Sequence, residues 1–187
     1  MKRILSILTV GFFAALASGC DLRKGTESQD LAEERNDETF GTKSEENLAD
    51  FLADAIEAKY ADIKLAELAS IKSSNKEIQD FAQELANDHT NTLTELQALA
   101  DKKGIAVPVE EGEATKEKIN KLSEEKDPDF DKKWCSEIIA KHKKAIREFE
   151  LMSDQSEDTE LKDVIDRSLI DLKGKLDKLN TLENSMK

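Results

Sequence analysis

Ile78-Gln79-Asp80-Phe81-Ala82-Gln83-Glu84-Leu85-Ala86-Asn87-Asp88-His89-Thr90-Asn91-Thr92-Leu93-Thr94-Glu95-Leu96-Gln97-Ala98-Leu99-Ala100 decides the fold. Ile78, Phe81, Leu85, His89, Thr92, Leu96 and Leu99 follow at steps of three and four, with Ala82 beside Phe81, so they share one face of a helix. A histidine therefore points where a core is expected. The chain contains 2 histidines, and His142 takes a similar place in a later stretch.

This stretch predicts a helix from Asn75 to about Lys102, opened by Ser74 and Glu77 at capping-box spacing and stopped by Gly104. Before it, Leu48, Phe51, Ala55, Ala58, Asp62, Leu65 and Ala69 predict a helix from about Asn47 to Ile71, with Asp62 interrupting the apolar seam. Ser73-Ser74-Asn75 separates the two as a tight hairpin. After Gly104 comes a link of about twenty-four residues to Pro128, with a short helix expected at Glu113–Glu125, anchored by Ile119 and Leu122. Such a link is long enough to travel the length of a bundle and set the next helix parallel to the second.

Asp127-Pro128 predicts a helix start, with Asp as N-cap and Pro as the first helical residue. Phe130, Trp134, Ile138, Ala145 and Phe149 form its stripe, and Asp131, Cys135, His142 and Met152 lie along or within it. The polar run Ser153–Thr159 separates it from a fourth helix carrying Leu161, Ile165, Leu169, Leu172, Leu176, Leu179 and Leu182. The expected fold is all-α: a ferritin-like four-helix bundle, two helical hairpins joined by a long crossover that contains a short helix.

The rest of the chain assigns location. Lys2 and Arg3, then the apolar Ile4 to Leu16, then Ala17-Ser18-Gly19-Cys20, predict a signal segment over residues 1–19. The small residues before the cysteine resemble the lipobox of bacterial lipoproteins, which implies acylation of Cys20 and attachment to a membrane through N-terminal lipid. Cys135 is then the one other thiol, and no disulfide framework is expected. Residues 20–46 are polar and acidic and are expected to be a flexible tether, with the folded domain over 47–187. The location expected is the bacterial cell envelope. A net charge of −13 argues against a nucleic-acid partner. Removing Lys2 and Arg3 takes it to about −15.

Candidate chemistry gathers in the expected core. Asp62, His89 and His142 occupy core-facing places on three helices, and Asp171 lies as far past the second hairpin turn as His142 lies before it. A layer of Asp, His, His and Asp suits a divalent metal such as zinc, iron or manganese. An Asp–His pair also satisfies itself by hydrogen bonding, and this structural reading is the expected one, with no cofactor required. The Glu-x-x-His motif of di-iron bundles is missing, because Ala86 and Ile139 stand where its glutamates would. Asp80, Glu84 and Asp88 form an acidic ladder that reads as a solvated face. Lys141, Lys143 and Lys144 are expected to snorkel outward. Without a nucleophile elbow, phosphate loop or Cys-x-x-Cys, no enzyme is expected.

Phe81 to Thr90, Leu96 to Pro108 with its Gly104-Ile105 punctuation, Phe130-Asp131-Lys132-Lys133-Trp134 and His142 together resemble domain-of-unknown-function family 4142. The resemblance covers about Leu48 to Leu182 and implies a ferritin-like fold in an exported envelope protein with no established activity. Two departures touch the candidate site. Asp62 replaces the glutamate usual on the first helix, and Lys175 stands where the family's last histidine falls. If a metal site exists elsewhere in the family, Lys175 would replace a ligand with a positive charge, and Asp62 or Asp171 is its expected partner. The candidate set is thus Cys20 for lipidation and Asp62, Asp88, His89, His142, Asp171 and Lys175 as a buried polar cluster or metal site. The function expected is that of a lipid-anchored binding or structural module, the alternative being a metal-binding or redox domain.

Overall fold

The computed structural model describes residues 28–186; the signal segment and Cys20 lie outside the described residues. Six helices follow in order: α1 (Ser28–Thr39), α2 (Lys43–Lys72), α3 (Lys76–Lys103), α4 (Glu113–Glu124), α5 (Asp129–Gln155) and α6 (Thr159–Ser185). Among the described residues there is no strand.

The four long helices form where apolar residues recur at helical spacing, and polar caps end them. Thr42 opens α2, its hydroxyl oxygen accepting the Glu45 N–H at 3.3 Å and donating to the Glu45 carboxylate at 2.7 Å. Asn75, not Ser74, opens α3, accepting the Glu77 N–H at 2.9 Å. An amide oxygen one residue nearer the helix outcompetes the hydroxyl for that N–H. At the far end Gly104 adopts φ 69°, Ile105 N–H reaches Ala100 O at 3.0 Å and Gly104 N–H reaches Asp101 O at 3.2 Å. These paired bonds satisfy the last carbonyls in a Schellman arrangement.

Pro128 itself holds the N-cap position of α5. Asp127 is turned away, its carboxylate accepting the Ser74 N–H at 3.1 Å, so it ties the hairpin to α5 rather than capping the helix as expected. Asp158 caps α6 through Leu161 N–H at 3.0 Å and is also ion-paired with Lys103. The end of α3 therefore lies beside the start of α6.

Two apolar clusters fill the bundle. One joins Leu65 and Ala69 of α2, Ile78, Phe81 and Leu85 of α3, Phe130, Trp134 and Ile138 of α5, and Leu179 and Leu182 of α6. The other joins Leu52 and Ile56, Leu93 and Leu96, Phe149, and Leu161 and Ile165 of the same helices. The first halves of α3 and α5 thus share one end of the bundle with the last halves of α2 and α6. Helices α3 and α5 run parallel, and the crossover with α4 spans the bundle's length. Leu122 anchors α4, with Ile119 packed alongside. The architecture is the expected all-α bundle of two hairpins joined by a long crossover.

Part of the expected tether is helical. Ala32 and Asn36 are the buried residues of α1, and Asn36 makes a two-way amide clamp on the crossover. Its Nδ2 donates to Ala106 O at 2.9 Å, and its Oδ1 accepts Ala106 N–H at 2.8 Å. A helix held by polar contacts has no apolar stripe, which is why its composition reads as a linker.

Candidate functional site

Between the two apolar clusters lies a layer of charge. Lys59 and Asp62 of α2, His89 of α3 and His142 of α5 are each no more than 3% exposed. Their positions follow from helical register. Lys59 lies three residues beyond Ile56 and seven before Ala66, both buried on the same stripe, and Asp62 lies three beyond Lys59.

The expected Asp62–His89 neighbourhood forms, with Asp62 Oδ2 3.8 Å from His89 Nε2. That distance is an ionic approach, too long for a hydrogen bond. Lys59, which the sequence reading passed over, lies closer to the histidine, its Nζ 3.2 Å from His89 Nδ1 and 3.8 Å from Asp62 Oδ2. The missed signal was its place on the stripe; a lysine there reads as solvated until three helices close over it. Lys141 is the second difference. It turns inward rather than snorkelling out, and its Nζ lies 3.2 Å from Asp62 Oδ1.

His142 completes the layer. Its ring centroid lies 5.4 Å from that of His89, and its Nδ1 lies 3.1 Å from Ile138 O. A carbonyl only accepts, so Nδ1 carries the hydrogen and Nε2 is left with a free lone pair. Nε2 of both histidines is buried without a hydrogen-bond partner.

Asp88, Asp171 and Lys175 are nearby but form a separate set at the layer's edge. Lys175 is buried and pairs with Asp171 and with Asp88 at 2.7 Å. Of its two expected partners it takes Asp171 and leaves Asp62. The two carboxylates are about one-third exposed, so the four-residue Asp, His, His, Asp layer does not assemble. Lys175 reaches into the space nearest Asp171, one helical turn before it on α6, and that carboxylate stays at the rim.

Electrostatics follow from burial. Burial pushes the Asp62 carboxyl up, but Lys141, His89, Lys59 and His142 outweigh it and hold the group down at about 2. Burial lowers both imidazoles, His142 to about 4 and His89 well below its ordinary range, with Lys59 adding to the effect. Both are neutral at pH 7. Burial also lowers the Lys59 ammonium, opposed by Asp62 and Asp171. Lys175 is raised because its hydrogen bonds to Asp171 and Asp88 outweigh its desolvation.

A cleft of about 210 Å³ opens between α2 and α5, lined by Lys59, Asp62 and Lys141, with Asp54, Lys144 and Glu148 towards solvent. It connects the layer to the outside. Among the described residues no group of three or more His, Cys, Asp or Glu has metal-holding geometry.

The weaker candidates are accounted for structurally. Asp80 pairs with Lys76 and Glu84 with Lys178, so the acidic ladder is a solvated, cross-linked face. Cys135 is a buried free thiol, pushed up to about 12 by burial, and is therefore unreactive.

The fold and site define an all-α bundle protein whose core is divided by a buried lysine, carboxylate and imidazole layer. The chain belongs to the family described as Domain of unknown function (DUF4142), whose model matches residues 34–182. No match was found among curated proteins or among solved structures.

Proposed function

We propose that the protein is a lipid-anchored cell-envelope binding module, tethered through Cys20, whose ligand enters the cleft above Lys59, Asp62 and Lys141. The observation that carries this reading is the cleft itself, which brings solvent-sized space to Lys59, Lys141 and Asp62, whose buried Oδ1 has an ionic contact but no hydrogen-bond partner. Unpartnered buried polar atoms cost stability, and a ligand able to satisfy them is bound with the corresponding gain. The single long crossover between parallel helices supports a ferritin-like classification. Among the described residues no helix is long and apolar enough to cross a membrane; in this reading the attachment is lipid on Cys20.

The competing reading places a divalent metal on Asp62, His89 and His142. Charge opposes it, because Asp62 already answers the Lys141 ammonium at 3.2 Å and Lys59 approaches the same carboxylate. Adding two positive charges there raises the desolvation cost without a further anion. Purified protein titrated with Fe(II), Mn(II) or Zn(II) is expected to retain none at one equivalent; stoichiometric retention lost in His142→Ala would reverse the order of the two readings.

Cleft binding is tested with a panel of small polar compounds in thermal-shift assays on the wild type and on Ala58→Leu, which fills the cleft wall. A compound raising Tm in the wild type alone supports the reading, and equal shifts or none overturn it. Lipid anchoring is tested by fractionation: Cys20→Ala should leave the membrane fraction or fail to be processed, and a normally cleaved, membrane-bound Cys20→Ala protein would refute it.

A further inference from the structure

Lys59 is the one member of the layer whose role the binding reading leaves open. We propose that Lys59 is an amine nucleophile that condenses with a small aldehyde or ketone in the cleft, forming an imine at the bundle centre. This rests on the cleft being the binding site and names the chemical class of its ligand.

Charge placement carries the argument. Asp62 Oδ1 is engaged by Lys141 at 3.2 Å, and Lys175 has Asp88 and Asp171 to itself. Lys59 is therefore left without a carboxylate at hydrogen-bond distance. Its nearest polar partner is the neutral imidazole of His89 at 3.2 Å. The groups facing it are Asp62 on α2, His89 on α3, Lys141 and His142 on α5, and Asp171 and Lys175 on α6. Burial, Lys141 and Lys175 disfavour its ammonium, while Asp62 and Asp171 act the other way, and the balance lowers it. A desolvated amine beside other cations is the environment that activates lysine towards carbonyl carbon.

The surrounding groups supply the remaining steps. The Lys59 nitrogen attacks the carbonyl carbon, a C–N bond forms, and the C=O pair moves to oxygen, which takes a proton from solvent in the cleft. Nitrogen then gives a proton to His89 Nδ1. The carbinolamine hydroxyl leaves as water with a proton returned by the imidazolium, and the nitrogen lone pair closes the C=N bond. One carbonyl, one amine and one solvent proton become one protonated imine and one water, with no oxidant or reductant. Asp62, an anion 3.8 Å from Nζ, compensates the protonated imine as it forms. A volume of about 210 Å³ admits only a small compound.

The test is reductive trapping in the full chain. Protein is incubated at neutral pH with propanal and sodium cyanoborohydride, digested, and mapped by peptide mass spectrometry. The propyl adduct is expected on Lys59 before the exposed Lys76 and Lys121. His89→Gln should slow labelling of Lys59 and leave Lys76 unchanged, and Ala58→Leu should block Lys59 alone. The proposal is overturned if Lys59 is labelled only after unfolding, or if His89→Gln leaves its rate unaltered. Calorimetric binding of propanal without a trapped adduct would sink the imine and leave the binding reading standing.

Discussion

At the scale of single residues, the buried histidines make stability depend on pH in one direction. A group held neutral in the fold but free to protonate when unfolded gives the unfolded chain more bound protons over the interval between its two pKa values. For His142 that interval runs from 6.5 down to about 4, and His89 acts in the same sense. Stability is present above the unfolded value and is lost as pH falls through the window. Asp62, depressed from 3.8 to about 2, extends the loss to lower pH. His142 alone should account for about 3 kcal/mol between pH 7 and pH 4. Urea midpoints measured across that range should fall steeply in the wild type and less steeply in His142→Gln; parallel slopes would rule this out. The two histidines were legible in the sequence because a histidine on an apolar face is conspicuous. Lys59 and Lys141 were not, since a lysine's long stem lets it leave almost any stripe, and only the assembled bundle decides whether it does.

At the scale of elements, the two glycines in or beside helices make opposite predictions. Gly104 ends α3 at φ 69°, in the left-handed region where a Cβ is penalised. Gly104→Ala should cost about 1 kcal/mol. Gly174 lies within α6, and a Cβ there meets nothing within 4 Å. Gly174→Ala should therefore stabilise by up to ~1 kcal/mol, and chemical denaturation of the pair would show whether the signs differ. The four long helices were readable because each repeats apolar residues over many turns. Helix α1 carried no such signal, with Leu31 exposed and Asn36 providing its buried clamp. Asn36→Ala should leave the bundle's midpoint nearly intact while speeding amide exchange over residues 28–39. Unchanged exchange there would mean that Asn36 does not hold the helix.

At the scale of the whole molecule, the charged layer separates two apolar clusters that would otherwise be continuous. Removing one partner and replacing the set are physically different experiments. Asp62→Ala leaves Lys141 and Lys59 facing each other in a buried space, and should destabilise by ~3–5 kcal/mol. Replacing Lys59 and Lys141 with Met and Asp62 with Leu together removes the charges with their desolvation cost. That triple variant should be as stable as the wild type or more so by ~1–4 kcal/mol. Urea denaturation of both variants measures the difference. A triple variant weaker than Asp62→Ala would show that the layer is there to hold the bundle together. A triple variant more stable than the wild type means that the fold carries these charges at a cost, which is what the proposed role at the cleft predicts.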